Sequence, residues 1–423
     1  MNFLRNFGPG LITAGAAIGT SHFVQATRAG SYFGFDLIWL ILVIHIVKYP
    51  FIEFGSRYTS ATGENLLVGY WRFSKPIFYL ISLLSIFFTP FSFAANGFIC
   101  AGIIKAVLNV PLSITTITGL LLGFCTILIS IGRYKLLDGA MKIFIVILSL
   151  TTLVAVIVAA NNFVTLPQEE IFYSDYSPFE IHHIPFLIAL MGFMPGSIDL
   201  SVWHSLWLKA RNKTNNVLNF KQARLDFNVG YVITIVTAVL FLSIGALMIN
   251  NSQMAVPDGA DDFARLLINS YVQLIGSWAS PVVGLAILIA MMSTVLAVVD
   301  SYPRLLTESF AVIKRMKDGD VGEKERTEGN RLMHSFLMAF YSILAVLVIT
   351  FLFSGFKQIL DFTASVAFVV APLYAFVNYK IVTSELVAKE FRPGFAIRTL
   401  SWFGLLFLMG FLGWFLWAKI FVI

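Results

Sequence analysis

The stretch that decides the fold is GPGLITAGAAIGTSHFVQATRAG, residues 8–30. It opens as an apolar helix and is interrupted at Gly19, Thr20, Ser21 and His22 by small and polar residues. In hydrocarbon every backbone group needs an internal partner, so irregular backbone is confined to places walled by protein or lining a wet cavity. A second interruption, MGFMPGSIDLS, lies at 191–201. There Pro195 removes a helix N–H and Gly196 loosens the chain. Both runs are expected to unwind, at about Gly19–Ser21 and Met194–Gly196.

Everything around the two interruptions is lipid-like. Of 423 residues, 58% are hydrophobic and 12% charged, against about 25% charged in an average soluble domain. Windows of about 20 apolar residues place spans at 8–30, 35–57, 76–106, 111–131, 136–161, 184–208, 228–249, 278–301, 333–353, 357–382 and 399–420. The expectation is an all-α polytopic membrane protein of eleven transmembrane helices in a single domain. The interruptions fall in spans 1 and 6, five spans apart. Paired discontinuous helices at matching positions of two halves point to an inverted-repeat secondary transporter with its substrate site at the breaks. The first repeat covers about 8–161, the second about 184–382, and 399–420 is an extra helix. Two unrelated kinks in a channel or receptor are the alternative.

The formal charge of +6 follows topology rather than a polyanionic partner. Most basic residues fall in alternate connections, among them Arg57, Arg72 and Lys75, then Lys209 to Arg224, then Lys314 to Arg331. This asymmetry places the N-terminus in the cytoplasm and the C-terminus outside, in a plasma (inner) membrane. It argues against nucleic-acid binding; the partners are the lipid bilayer and a small-molecule or ion substrate. Oligomeric state leaves no signal. Cys100 and Cys125 make neither a disulfide framework nor a zinc motif. No cofactor, nucleophile–base pair or hydrolytic metal motif appears, so an enzyme is not expected. Residues 314–331 read as a solvated cytoplasmic loop. The acidic segment 161–183, with His182 and His183, reads as an outside loop, either a plain surface or a gathering point for cations.

Five stretches together resemble the Nramp family of divalent-metal transporters: GPGLITAG, RAGSYFGFDLIW (28–39), SRYTSATGENL (56–66), GRYKLLDGAMK (132–142) and FMPG (193–196). The resemblance extends, more weakly, over spans 1 to 10. It implies a LeuT-like 5+5 inverted repeat with discontinuous helices 1 and 6, here with an eleventh helix. It also implies a metal site. In that family the first break reads Asp-Pro-Gly-Asn and the sixth-span break Met-Pro-His, and Asp, Asn, Met and a backbone carbonyl hold the ion. At those positions this sequence has Gly19, Thr20, Ser21 and His22, then Met194, Pro195 and Gly196. Third-span carboxylates that the family uses for proton movement fall on Asn96 and Ile99. A site for Mn²⁺ or Fe²⁺ wants charged oxygen donors beside a softer ligand; His22 and Met194 alone would suit a soft metal such as Cu(I).

Ionisable residues inside spans are functional candidates. Asp199, three residues past Gly196, either contacts substrate or a coupling ion or caps the second half of span 6. His22 either serves the substrate or satisfies an orphaned carbonyl. Lys48 pairs with Asp199, takes the place of a coupling cation, or reaches a cytoplasmic vestibule. Glu53 and Arg57, and likewise Asp300, Arg304 and Glu308, have i,i+4 spacing and read as rim ion pairs or gate latches. The expected function is a secondary-active transporter with a site rebuilt around Gly19–His22 and Met194–Asp199. It carries a metal through altered ligands or a small non-metal solute; a non-transporting sensor on the same fold is the third class.

Overall fold

The computed structural model describes residues 8–132, 147–161, 177–212, 218–250, 256–318, 323–353 and 355–421. Among these residues all regular structure is helical. In chain order the helices are α1 (Pro9–Ala17), α2 (Thr27–Phe33), α3 (Ile38–Thr62), α4 (Leu66–Phe73), α5 (Lys75–Leu108), α6 (Ile114–Ser130) and α7 (Ile147–Asn161). They continue as α8 (Ile184–Phe193), α9 (Leu200–Asn212), α10 (Phe220–Ile244), α11 (Ala260–Ile275), α12 (Ala279–Asp318), α13 (Glu323–Leu352), α14 (Phe356–Thr383) and α15 (Phe395–Phe421). Wide π-turns, Ser21–Ala26 and Gly245–Asn250, precede α2 and extend α10. Among the described residues seven helices are long and apolar enough to cross a bilayer. α6 and α7 are shorter apolar helices.

The two remaining apolar runs are split where proline, glycine and polar residues interrupt them. The first break lies one residue earlier than its sequence suggests. Ile18 has left the helix (φ −78°, ψ 46°), whereas Thr20 is back in helical geometry and Ser21 opens the π-turn. The second break is longer. Met194 is extended, its bond to Pro195 is cis, and helix resumes only at Leu200.

Small residues set the closeness of packing, as they must where lipid supplies no hydrophobic drive between helices. α1 lies on α10 so tightly that a methyl group on Gly10 would overlap the Asp226 carbonyl, and one on Gly230 would overlap the Gly10 carbonyl. The GPG opening has a matching role. Pro9 starts the helix, and the amides of Gly8 and Gly10 donate to the Asp226 carboxylate at 2.9 and 2.7 Å. A carboxylate at a helix N-terminus is favoured by the helix dipole. α8 packs on α14, α5 on α12 and α14, and α9 on α3. α15 presents Trp402, Phe403, Leu406 and Trp417 outward, as suits a lipid-facing helix.

Several expectations need correction. The start of the span at 136–161 lies outside the described residues. Residues 314–331 do not form a plain loop: α12 runs to Asp318 and α13 starts at Glu323, so helix continues beyond the apolar stretch on both sides. α4 and α11 have no counterpart among the expected spans, because both are too short or too polar for a hydropathy window. α11 nonetheless buries one face, Phe263, Leu267 and Tyr271 among it.

Candidate functional site

Breaking a helix releases carbonyls, and each released carbonyl needs a donor. At the first break the donors are side chains. Ser293 and Thr294 of α12 each donate to Gly15 O at 3.1 Å. Ser21 Oγ lies 2.6 Å from both Ala17 O and His22 Nδ1. His22 Nε2 lies 3.0 Å from Thr234 O of α10. A neutral imidazole donates from one nitrogen and accepts at the other. With the proton on Nε2 the ring donates to Thr234 O, while Nδ1, 2.9 Å from Ala17 O, competes with that carbonyl for the single Ser21 hydroxyl proton. Both nitrogens of His22 are then engaged within the protein wall.

At the second break the donor is a cation. Lys48, fully buried on α3, directs its ammonium at Met191 O (2.5 Å), Gly192 O (2.9 Å) and Gly196 O (3.2 Å). Three N–H groups meet three carbonyls released by the break. A positive charge is well placed at the C-terminal end of α8, where the helix dipole is negative. Among the described residues Lys48 makes no hydrogen bond to Asp199, so of its three candidate uses direct pairing with that carboxylate is not the one displayed. Its position is that of a tethered cation on the broken backbone.

Between the breaks is a cavity of about 50 Å³. On the polar side it is lined by Thr20, Ser21, Ser92, Asn96, Ser197 and Thr294. Thr20 donates to Asn96 Oδ1 at 2.6 Å, and Asn96 Nδ2 donates to Ser92 O at 2.8 Å, so the amide is held from both ends. Trp203 and Tyr302, with ring centroids 4.8 Å apart, form an aromatic edge. No side chain in this lining is a carboxylate, imidazole, thiolate or thioether.

Asp199 lines a neighbouring cavity of about 20 Å³ between α5 and α14. Ser197 and Tyr302 belong to both linings. Their hydroxyls lie against the Asp199 carboxylate, while its Oδ1 has no hydrogen-bond partner. The first amides of α9 do not turn to this side chain: Ser201 N donates to Ile198 O and Val202 N to Asp199 O. An N-cap role for the carboxylate is therefore not what the geometry displays.

Of the residues singled out from sequence, Thr20, Ser21, Asn96 and Gly196 meet at the larger cavity and Asp199 at the smaller. Gly19, His22, Met194 and Pro195 are not in either lining. Gly19 faces α12 so closely that a Cβ would collide with the Thr294 side chain. Glu53 and Arg57 do form their ion pair, bidentate at 2.9 Å. Arg57 also donates to Phe391 O and sits 5.4 Å from the Phe220 ring, tying α3 to the connection before α15. Arg304 pairs with Asp300 at 2.6 and 2.9 Å, whereas Glu308 accepts from Asn65.

Sequence reading missed Tyr302, Trp203 and Asp226, since an aromatic residue or a span-end acid has no motif to mark it. It also missed the bond of Arg28 to Asp361, bidentate at 2.7 and 3.0 Å, which joins α2 to α14.

The sequence profile described as "Natural resistance-associated macrophage protein-like" matches residues 10–418. The uncharacterized protein PM0681 of Pasteurella multocida (strain Pm70) is 34% identical over 96% of this chain and 90% of its own. The divalent metal cation transporter MntH of Staphylococcus aureus (strain JH9) is 25% identical over 70% of this chain and 64% of its own. Two solved structures share the fold at 12% identity and 96% coverage of this chain. One is a manganese transporter of Eremococcus coleocola (TM-score 0.61, 84% of that chain). The other is MhsT in complex with L-phenylalanine (TM-score 0.63, 98% of that chain).

Proposed function

This chain belongs to the Nramp family, whose members are transporters and not enzymes, and from that premise we propose that it carries a small polar solute other than a transition-metal ion. The fold crosses the membrane eleven times as a 5+5 inverted repeat with an extra α15. The N-terminus is cytoplasmic and the C-terminus external, in the plasma membrane. The two broken helices meet at the substrate site, and alternating access moves the solute past them.

One observation carries this reading: the cavity between the breaks is lined by hydroxyls, one amide and aromatic rings, with no charged or soft metal ligand. The positions where the family holds its ion are filled from within. Gly19 abuts Thr294, His22 is bonded on both nitrogens, and Lys48 occupies the carbonyls of the second break. A dehydrated Mn²⁺ would find two charges uncompensated there, which costs several kcal/mol or more. Neutral polar groups suit a solute that exchanges hydrogen bonds. A volume of about 50 Å³ holds only a few water-sized groups, since one needs about 10–15 Å³, so the solute is small or the walls part on loading.

The names of the MntH relatives favour a second reading, metal transport through altered ligands. A thermal-shift panel on the purified protein separates the two, because a ligand that binds the folded state raises its melting temperature. Stabilisation by a small neutral or zwitterionic solute, and uptake of that solute in liposomes, is the expected outcome. Stabilisation by Mn²⁺ or Cu⁺ alone would select the second reading.

A further inference from the structure

We propose that the cavity beside Asp199 is a binding site for one dehydrated monovalent cation of about the size of sodium, separate from the solute cavity. The inference rests on the transporter reading only in assigning that cation the role of coupling ion.

Four observations meet at this place. Asp199 is 6% exposed, and its Oδ1 has no hydrogen-bond partner where it lines the smaller cavity. A buried carboxylate oxygen left unpaired is costly, and a bound cation removes the cost. Four hydroxyls, those of Ser197, Tyr302, Tyr374 and Ser85, the last two 3.4 Å apart, are the other side-chain oxygens of a lining that is otherwise apolar. The cavity, about 20 Å³, has room for about one water-sized species. One carboxylate balances one positive charge, so a divalent ion there would stay under-compensated in a poorly solvated pocket.

Lys48, a buried cation of the same break, acts on the carboxylate through its charge but leaves its oxygens unoccupied, because its ammonium is bonded to Met191, Gly192 and Gly196 carbonyls. Ser197 and Tyr302 line both cavities. A cation that takes up the oxygens of these two hydroxyls turns their O–H groups away from Asp199 and so alters the wall seen by the solute, which is the physical basis for coupling between the two ligands.

The test uses the full-length protein in detergent. Melting temperature is measured in NaCl against choline chloride at constant ionic strength, and equilibrium binding of ²²Na⁺ is measured in parallel. Sodium is expected to raise the melting temperature saturably by about 2–4 °C, with one ²²Na⁺ bound per chain. Asp199→Asn should abolish both effects. Should that variant not fold, Ser85→Ala and Tyr374→Phe replace it, and each should weaken ²²Na⁺ affinity at least threefold. Absence of saturable ²²Na⁺ binding in the wild type overturns the proposal. So does binding that survives unchanged in Asp199→Asn, or in both hydroxyl variants. A melting temperature that responds to acid but not to sodium would make Asp199 a proton site only, and also overturns it. Solute flux without sodium binding would remove this site and leave the transporter. Sodium binding without flux of any solute would do the reverse.

Discussion

Lys48 is the residue on which the second break depends. All three of its N–H groups are committed to carbonyls at the break, at Met191, Gly192 and Gly196. Lys48→Met should therefore cost roughly 3 kcal/mol, the scale of leaving buried polar groups unpaired. Chemical denaturation in detergent checks the value. Adding Asp199→Asn should not restore the loss, because the two side chains are not hydrogen-bonded; recovery in the double variant would show that they act as a pair. Gly19 gives a second expectation. Gly19→Asp restores the acid of the family's first break, yet its side chain would strike Thr294. The variant should melt several degrees lower and still bind no Mn²⁺ at micromolar concentration, while Thr294→Ala should relieve part of the instability. At this scale the sequence was partly legible. Gly19, Thr20 and Ser21 announce a break by their size and polarity. Nothing local announces that His22 turns into α10, because its partner, the Thr234 carbonyl, is 212 residues away.

Helices are the scale at which hydropathy speaks most clearly. The expected spans at 76–106, 357–382 and 399–420 differ from α5, α14 and α15 by only a few residues at each end, since twenty apolar residues in lipid have few alternatives to helix. α11 escaped for the opposite reason: its buried face is a stripe, with Asp261 and Asp262 in its first turn, and a window average cancels it. The N-terminus of α1 shows a further limit. The GPG motif was visible as a family mark, but its physical purpose lies in Asp226 on α10. Asp226→Ala should leave the amides of Gly8 and Gly10 without their acceptor and cost about 1–2 kcal/mol. Asp226→Asn, which keeps one acceptor oxygen, should lose less. Hydrogen exchange at residues 8–12 should rise in the Ala variant first; unchanged protection there would mean that α1 is held by its packing on Gly230 alone.

Across the whole molecule, class and family follow from composition and a handful of motifs, while the chemistry of the centre does not. Fold is set by many weak apolar contacts that a sequence displays openly. The centre is set by a few polar groups whose meaning depends on where each points: Met194 is present, as in the family, and yet lies outside both cavity linings. Lys48 and the α12 hydroxyls bond to backbone carbonyls released at the two breaks, and His22 bonds to the Thr234 carbonyl of α10. The larger cavity between the breaks has a neutral lining, the basis for proposing that no metal is held there. Calorimetric titration of the purified wild-type protein with Mn²⁺ tests this most directly. No saturable heat is expected at any concentration up to about a millimolar, the affinity range in which a carboxylate-free site gains little. Low-micromolar Mn²⁺ binding that disappears in His22→Ala or Met194→Ala would contradict it.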